Sequence, residues 1–122
     1  MHLTKRELDL MSVIWELGSA TVADVQDRLQ DDLAYSTVLT LLRTLEHKGH
    51  VRHEKDGKAF RYFPLIEPDD AGDSALKRLV NKVYKGSREL LIARLVAAED
   101  VSPEELERIR EQVNRRLEEM DR

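Results

Sequence analysis

The spacing of apolar residues in this chain changes from a helical to a strand-like period immediately after Gly49. Before that residue, three segments repeat apolar side chains every three or four positions, as amphipathic helices do. After it, residues 50–55 and 58–64 flank Asp56-Gly57, a pair typical of a type I′ hairpin turn in which both residues take positive φ. The sequence therefore predicts a small domain of three helices followed by a β-hairpin.

The first two helices carry recognisable end signals. Thr4 followed by Glu7 has the spacing of a capping box, and Gly18 is suited to ending the first helix. Thr21 and Asp24 repeat the capping pattern at the start of a second, shorter helix. These signals predict where both helices begin and where the first helix ends.

The third helix has one apolar and one polar face. Ser36 is its predicted N-cap and Gly49 its predicted stop. Its apolar face comprises Val38, Leu41, Leu42 and Leu45. Its polar face comprises Ser36, Thr37, Thr40, Arg43, Thr44 and His47. A solvated surface helix could also present a polar face, but Glu and Lys are more usual there than threonine, a weaker helix former. Short hydroxyl side chains favour a helix that approaches DNA closely.

The charge of the chain is unevenly distributed. The formal net charge is −4 at pH 7, which is unusual for a nucleic-acid binder. Residues 43–63, however, carry six basic side chains against three acidic ones. Phosphates respond to charge within about 10 Å, so a local basic surface is sufficient. Lys55, Lys58 and Arg61 are the predicted phosphate contacts of the hairpin, although strand alternation could instead place Arg61 against the core.

The second half of the chain predicts three further amphipathic helices. Glu67-Pro68-Asp69-Asp70 is interpreted as a polar linker, which gives domains at residues 1–66 and 67–122. About fifty residues in three thin helices cannot enclose a core by themselves, so a second copy of the chain is expected to cover them. The predicted dimerisation residues are Leu76, Leu79, Val83, Leu91, Leu95, Leu106, Ile109 and Val113.

Several classes of function are disfavoured by the composition. The chain has no cysteine, and His47, His50 and His53 span a helix end and a turn, so we expect no metal site and no cofactor. No glycine-rich phosphate loop or nucleophile motif is present, so we expect no enzymatic activity. No segment approaches the roughly 20 apolar residues of a membrane helix, and the N-terminus lacks a signal-peptide pattern. We expect a cytoplasmic protein without a membrane partner.

The sequence resembles the penicillinase repressors and the related methicillin-resistance and copper-responsive repressors. The resemblance covers residues 3–118 and is most specific between residues 35 and 64. The matching positions are Leu3, Thr4, Glu7, Met11, Ile14, Trp15, Thr21, Val22, Val25, Tyr35, Ser36, Thr37, Val38, Thr40, Leu42, Leu45, Lys48, Gly49, Gly57, Lys58, Arg61, Tyr62 and Pro64, followed more weakly by Asn81, Tyr84, Gly86, Ser102 and Glu105. The resemblance implies a winged-helix repressor that binds a palindromic operator as a dimer, with Thr37 and Thr40 on the recognition helix and Lys58 on the wing.

Three features of the sequence depart from the family pattern. The family has arginine directly before the residue matching Leu45, whereas this chain has Thr44, preceded by Arg43. The family implies an inducing protease that cuts an Asn-Phe bond, but this chain has Arg94-Leu95 there. The absence of cysteine excludes the thiolate copper sensing of the copper-responsive branch.

The predicted fold class is mainly α with a small β-hairpin wing: a winged helix-turn-helix domain plus a C-terminal helical dimerisation segment. The predicted function is sequence-specific repression by a homodimer on double-stranded operator DNA. The alternative is a winged-helix protein-interaction module that does not bind DNA specifically. Under the first hypothesis Ser36, Thr37, Thr40, Arg43, Thr44, Lys55, Lys58 and Arg61 contact DNA.

Overall fold

A computed structural model describes all residues, Met1–Arg122, and contains six helices and one three-stranded antiparallel sheet. The elements are α1 (Lys5–Leu17), β1 (Ala20–Thr21), α2 (Val22–Arg28), α3 (Tyr35–His47), β2 (Val51–Asp56), β3 (Ala59–Pro64), α4 (Pro68–Lys82), α5 (Arg88–Val96) and α6 (Pro103–Met120). This architecture confirms the predicted fold class. The chain divides into two compact units, Met1–Leu76 and Lys77–Arg122. The domain boundary predicted at residue 67 coincides with the approach to α4 and stays a prediction.

The capping signals of the first two helices are confirmed. Thr4 N–H donates to Glu7 Oε1 at 2.8 Å, and Glu7 N–H donates to Thr4 Oγ1 at 3.1 Å. Thr21 and Asp24 make the same reciprocal pair at 3.0 and 3.1 Å. Gly18 follows α1 with φ of 82°, a conformation that costs glycine little. Local side-chain chemistry therefore sets these helix ends.

The predicted N-cap of the third helix is wrong. The N-cap of α3 is Ala34, with extended φ and ψ of −65° and 149° and no side-chain capping bond. Its carbonyl accepts the first helical bonds, from Thr37 and Val38 N–H, each at 3.1 Å. Ser36 lies inside the first turn, and because this end is solvent-exposed, water can satisfy the remaining amides without a side-chain cap. The other end is as predicted, with Gly49 at φ 83° directly after the C-cap Lys48.

The predicted hairpin is confirmed, but its turn type is wrong. Asp56 pairs with Ala59, so the two-residue loop is Gly57-Lys58 and Asp56 is the last residue of β2. Gly57 has φ of 63°, whereas Lys58 does not have positive φ. Positive φ at the first loop position alone is the pattern of a type II′ turn, which also matches the twist of a hairpin.

The sheet contains a strand that the sequence does not predict. The strand order is β1-β3-β2, and Tyr62 lies between Ala20 of β1 and His53 of β2. Tyr62 is 1% exposed and belongs to the core of the first unit. The other core residues are Leu10, Met11, Val13, Ile14, Ala20, Val22, Val25, Val38, Leu42, Leu45 and Val51. The hairpin is thus anchored at its base through β3.

Residues 68–70 of the predicted linker are the first turn of a helix instead. Pro68 opens α4, and Glu67 N–H donates to Asp70 Oδ2 at 3.2 Å. Proline suits the first turn because an amide there has no helical partner, and carboxylates there favour the helix dipole. Residues interpreted as linker-forming are therefore also good helix-initiating residues.

The second unit consists of the end of α4 together with α5 and α6. Ser87 Oγ accepts Leu90 N–H at 3.2 Å, and Ser102 Oγ accepts Glu105 N–H at 3.1 Å. Neither α5 nor α6 has a buried residue. None of the helices is both long enough and apolar enough to cross a membrane.

Candidate nucleic-acid interface

The polar face predicted for the third helix is exposed on α3. Val38, Leu42 and Leu45 are fully buried and fix the orientation of the helix. The predicted residues Ser36, Thr37, Thr40, Arg43 and Thr44 are all exposed. Tyr35, which was not among the predicted contacts, is 50% exposed in the same first turn. The helix therefore presents a continuous row of short polar side chains and one cation to solvent.

Two of the threonine hydroxyls are partly committed within the helix. Thr40 Oγ1 donates to the carbonyl of Ser36 at 2.9 Å, and Thr44 Oγ1 donates to that of Thr40 at 3.0 Å. These bonds use the hydroxyl hydrogens and leave the oxygen lone pairs and the methyl groups. In this conformation Thr40 can accept a hydrogen bond or contact an apolar group, but it does not offer a donor.

The structure separates the basic residues of this region into free and paired cations. Lys48 pairs with Glu7 at 2.8 Å, and Arg52 pairs with Glu54 at 2.7 Å. Arg43, Lys55 and Lys58 form no ion pair, and all three are exposed. Free cations can approach phosphates without first losing a carboxylate partner. We therefore place the available positive charge of the wing on its two lysines.

Arg61 lies on a different face of the wing from Lys55. Side chains alternate along a strand, so Lys55 shares the face of His53 and the core residue Tyr62, whereas Arg61 points to the other side. Arg61 Nε donates to Asp56 Oδ2 at 2.9 Å, and its Nη1 donates to Ser19 Oγ at 3.3 Å. The structure thus brings Arg61 toward the start of α2 and not together with the polar face of α3.

An ion pair with one buried partner supports the C-terminal end of α3. Glu7 is 2% exposed, and its Oε1 accepts both Lys48 Nζ and Thr4 N–H at 2.8 Å. Burial raises the pKa of Glu7, but the hydrogen bonds from Lys48 and Thr4 outweigh burial and hold that pKa below its ordinary value. Its Oε2 has no hydrogen-bond partner. The first turn of α1 is therefore tied electrostatically to the residue that ends α3.

The three histidines of this region do not converge on one site. His47 is exposed on α3, and His50 is largely buried, which lowers the pKa of its imidazole. His53 lies on β2 and contacts Glu46. The structure brings together no group of three or more His, Asp or Glu side chains with metal-binding geometry.

The contact between Glu46 and His53 was missed by sequence reasoning. Glu46 lies off the polar face of α3 and is half-buried, and both of its carboxylate oxygens lie within hydrogen-bonding distance of His53 Nδ1. A single acidic residue in the mostly basic second half of the α3 sequence was the available signal. The sequence could not supply the partner because the residues are separated by a reversal of the chain.

The predicted dimerisation residues lie along the helices of the C-terminal half, and most are exposed. Leu91 and Ile109 are half-buried. The exposed members are Leu76, Leu79, Val83, Leu95, Leu106 and Val113, between 40% and 61% accessible. Leu90, Ile92, Leu117 and Met120 are also exposed. Arg94 and Leu95 lie within α5.

The fold and this surface define a winged helix-turn-helix protein with a basic wing and a C-terminal helical unit. The sequence profile of the penicillinase repressor family matches residues 3–115. The chain belongs to the penicillinase repressor family, a family of transcriptional repressors and not of enzymes.

Relatives match along most of the chain. The methicillin resistance regulatory protein MecI of Staphylococcus aureus (strain N315) is 32% identical over 117 residues, which are 94% of this chain and 95% of that protein. The penicillinase repressor of Bacillus licheniformis is 28% identical over 107 residues, covering 86% and 84% of the two chains. The solution structure of monomeric B. licheniformis BlaI in complex with the blaP half-operator matches with a TM-score of 0.50 and 32% identity, covering 57% of this chain and 88% of that one.

Proposed function

We propose that this protein is a transcriptional repressor that binds a palindromic operator as a homodimer in the cytoplasm. The observation that carries the proposal is the combination of an exposed threonine face on α3 with three free cations, Arg43, Lys55 and Lys58. A solved relative in complex with a half-operator, BlaI, supports the same use of the fold. In a helix-turn-helix protein such a face enters the major groove while the wing contacts the flanking backbone.

The proposed contacts differ in what they recognise. Thr37 and Thr40 lie where base edges or thymine methyl groups would be read, and Ser36 and Thr44 border them. Arg43, Lys55 and Lys58 bind phosphates and set the register of the protein on the duplex. Arg61 orients the wing, because its guanidinium is already bound to Asp56 and Ser19.

The homodimer is supported by the exposed apolar side chains of the C-terminal half. Large apolar side chains exposed at helical spacing are typical of a surface that binds another protein chain. A second copy presents the same residues and can bury them in an isologous interface. Two recognition helices held about 34–36 Å apart, or a multiple of that distance, would then read a palindromic site.

Salt dependence of binding to an operator-sized duplex tests the proposal. Displacement of counterions by Arg43, Lys55 and Lys58 of both protomers predicts a steep linear fall of log affinity with log salt concentration. Selection from random duplexes would identify the preferred site. If the protein shows no salt-sensitive binding to any duplex at modest ionic strength, the alternative of a protein-interaction module replaces the repressor.

Replacing Lys58 by alanine is expected to weaken binding to all duplexes by a similar factor. Lys58 contacts phosphate, so its loss should flatten the salt slope by about one unit for each wing without changing sequence preference. The measurement is the affinity for specific and non-specific duplexes between about 50 and 200 mM salt. Arg122→Ala, at the last residue of the chain, is the control for the loss of one charge. An unchanged slope for Lys58→Ala would remove the wing from the interface.

Two substitutions of Thr40 are expected to separate its possible roles. Thr40→Val keeps a methyl group and removes the acceptor oxygen, whereas Thr40→Ser keeps the oxygen and removes the methyl. The variant that lacks the contacting group should lose about 1–3 kcal/mol on the preferred site and little on non-specific DNA. Affinities for the selected site and for single-base variants of it provide the measurement. If both variants retain full specificity, Thr40 does not read a base.

A further inference from the structure

We propose that Glu46 and His53 are positioning residues that fix the wing relative to α3, so that the wing lysines and the threonine face engage one duplex together. The inference rests on the proposed function, since it concerns how the two halves of that interface are aligned. Neither residue need touch DNA for this role.

The geometry of the contact is that of a two-point attachment. Both carboxylate oxygens of Glu46 lie within hydrogen-bonding distance of His53 Nδ1, Oε1 at 2.7 Å and Oε2 at 2.6 Å. The backbone N–H of His53 also donates to Glu46 Oε2 at 3.1 Å. One side chain of α3 therefore holds both the backbone and the imidazole of the same residue of β2. A contact that includes a backbone amide fixes the strand itself as well as a flexible side chain.

The imidazole of His53 also contacts the other strand of the wing, β3. Its ring lies 4.9 Å from the ring of Phe60 in an edge-to-face arrangement and 5.5 Å from that of Tyr62. Tyr62 is a buried core residue, whereas Phe60 is 38% exposed and pairs with Lys55. The chain of contacts runs from α3 through Glu46 and His53 to both strands just below the wing tip.

On its other face, the distal part of the wing is held by Arg61, which joins Asp56 to Ser19 and not to α3. The third strand, β1, pairs with β3 only at Tyr62 and Arg61, so residues 55–60 form a two-stranded hairpin. Such a hairpin is marginally stable in water by itself. Lys55 and Lys58 both belong to this part. Their position relative to α3 therefore depends on the side-chain contacts at its base.

An ordinary surface ion pair is the competing explanation, and it predicts a different result. Exposed pairs contribute little to stability, and a carboxylate near DNA repels phosphates. On electrostatic grounds alone, removing Glu46 should strengthen binding to DNA. If Glu46 positions the wing, its removal should weaken binding despite the lost repulsion. The two explanations therefore differ in the sign of the effect.

The matched variants Glu46→Ala and Glu46→Gln, made in the full chain, provide the test. Both remove the same charge, but the glutamine carbonyl can still accept a hydrogen bond from His53. We expect Glu46→Ala to bind the selected duplex roughly three- to tenfold more weakly, with a salt slope flatter by about one unit per wing. Glu46→Gln should recover part of that loss. Binding by Glu46→Ala that equals or exceeds wild-type binding overturns the proposal.

Two further comparisons isolate positioning from other effects. Lys58→Ala should have a much smaller effect on binding in the Glu46→Ala background than in the wild-type protein, because a misplaced wing no longer delivers its lysines. Additive effects would contradict this mechanism. Glu54→Ala removes the same charge from the other face of β2, where Glu54 pairs with Arg52. That control should bind DNA at least as well as wild type.

A measurement without DNA keeps this inference separate from the proposed function. Amide hydrogen exchange at residues 53–60 should be faster in free Glu46→Ala than in free wild type, while exchange in α1 stays the same. Unchanged exchange in the wing overturns the positioning role even if the protein binds DNA. The converse outcome is that wild type binds no duplex while Glu46→Ala still exchanges its wing amides faster than wild type. The repressor function is then contradicted, and the attachment of the wing to α3 is supported.

Discussion

Replacing Leu106 by aspartate is expected to give a monomeric protein whose first unit stays folded and whose operator affinity falls by orders of magnitude. Leu106 is 40% exposed on α6, in a stripe with Ile109, Val113 and Leu117. A carboxylate placed in the centre of an apolar interface must be desolvated without a partner, which costs several kcal/mol for each protomer. Without the dimer, binding of the second half-site is no longer intramolecular, which alone accounts for about 10²–10⁴ in affinity.

Sedimentation equilibrium and duplex binding measure this result, and the folded state of the first unit has its own reporter. Trp15 Nε1 donates to the carbonyl of Ile66 at 2.8 Å, so the fluorescence of Trp15 should be unchanged in Leu106→Asp. Arg108→Gln changes the net charge by the same amount at an exposed polar position of α6 and should remain dimeric. A Leu106→Asp protein that is dimeric with full operator affinity would remove the dimerisation role of α6.

Replacing Lys48 by alanine is expected to lower the free energy of unfolding by about 2–4 kcal/mol. Breaking a fully buried ion pair costs about 3–5 kcal/mol. The expected cost of breaking this pair is lower because water reaches the lysine. The side chain of Lys48 is 35% exposed, while that of Glu7 is 2% exposed, so the variant leaves a buried carboxylate with only Thr4 as a partner. Urea unfolding at neutral pH measures the loss.

A second substitution and the pH dependence distinguish this explanation from a general loss of packing. Adding Glu7→Gln to Lys48→Ala removes the unpaired charge and should restore more than half of the lost stability. The pKa of Glu7 is held below its ordinary value, so its contribution is present above about pH 4.5 and is lost as the pH falls through the folded-state pKa. The difference between wild type and Lys48→Ala should therefore narrow in acid. A difference that stays constant down to pH 3 would contradict the ion-pair explanation.

The capped starts of α1 and α2 and the orientation of α3 could be predicted from the sequence because short-range chemistry decides them. The capping pairs Thr4–Glu7 and Thr21–Asp24 each join residues three positions apart, and the structure contains both. The glycines at 18 and 49 follow helices with positive φ. The periodic apolar positions of α3 also identified its buried face. Each of these features depends on neighbours along the chain.

The sequence offered two neighbouring choices for the start of α3 and for the hairpin turn, and the predicted choice was wrong in both cases. Ser36 and Ala34 could each begin α3, and the structure places Ala34 at the N-cap. Asp56-Gly57 and Gly57-Lys58 could each form the turn, and the register of β2 against β3 selects the second pair. With Gly57-Lys58 as the loop Tyr62 lies opposite His53, whereas a loop of Asp56-Gly57 would place it opposite Val51. Both registers bury the same strand face, so they differ in which side chains are cross-strand neighbours and not in which side chains are buried.

Local patterns along the chain were sufficient to predict the helices, the hairpin, the core face of α3 and the local concentration of positive charge. Which of those charges are free depends on the folded chain: Lys48 and Arg61 pair with carboxylates, whereas Arg43, Lys55 and Lys58 do not. The tertiary structure also decided the pairing of β1 with β3 and the attachment of the wing to α3. The physical reason is that ion pairs and strand pairing depend on distance in space, which is set only after the chain has reversed direction and buried its apolar faces.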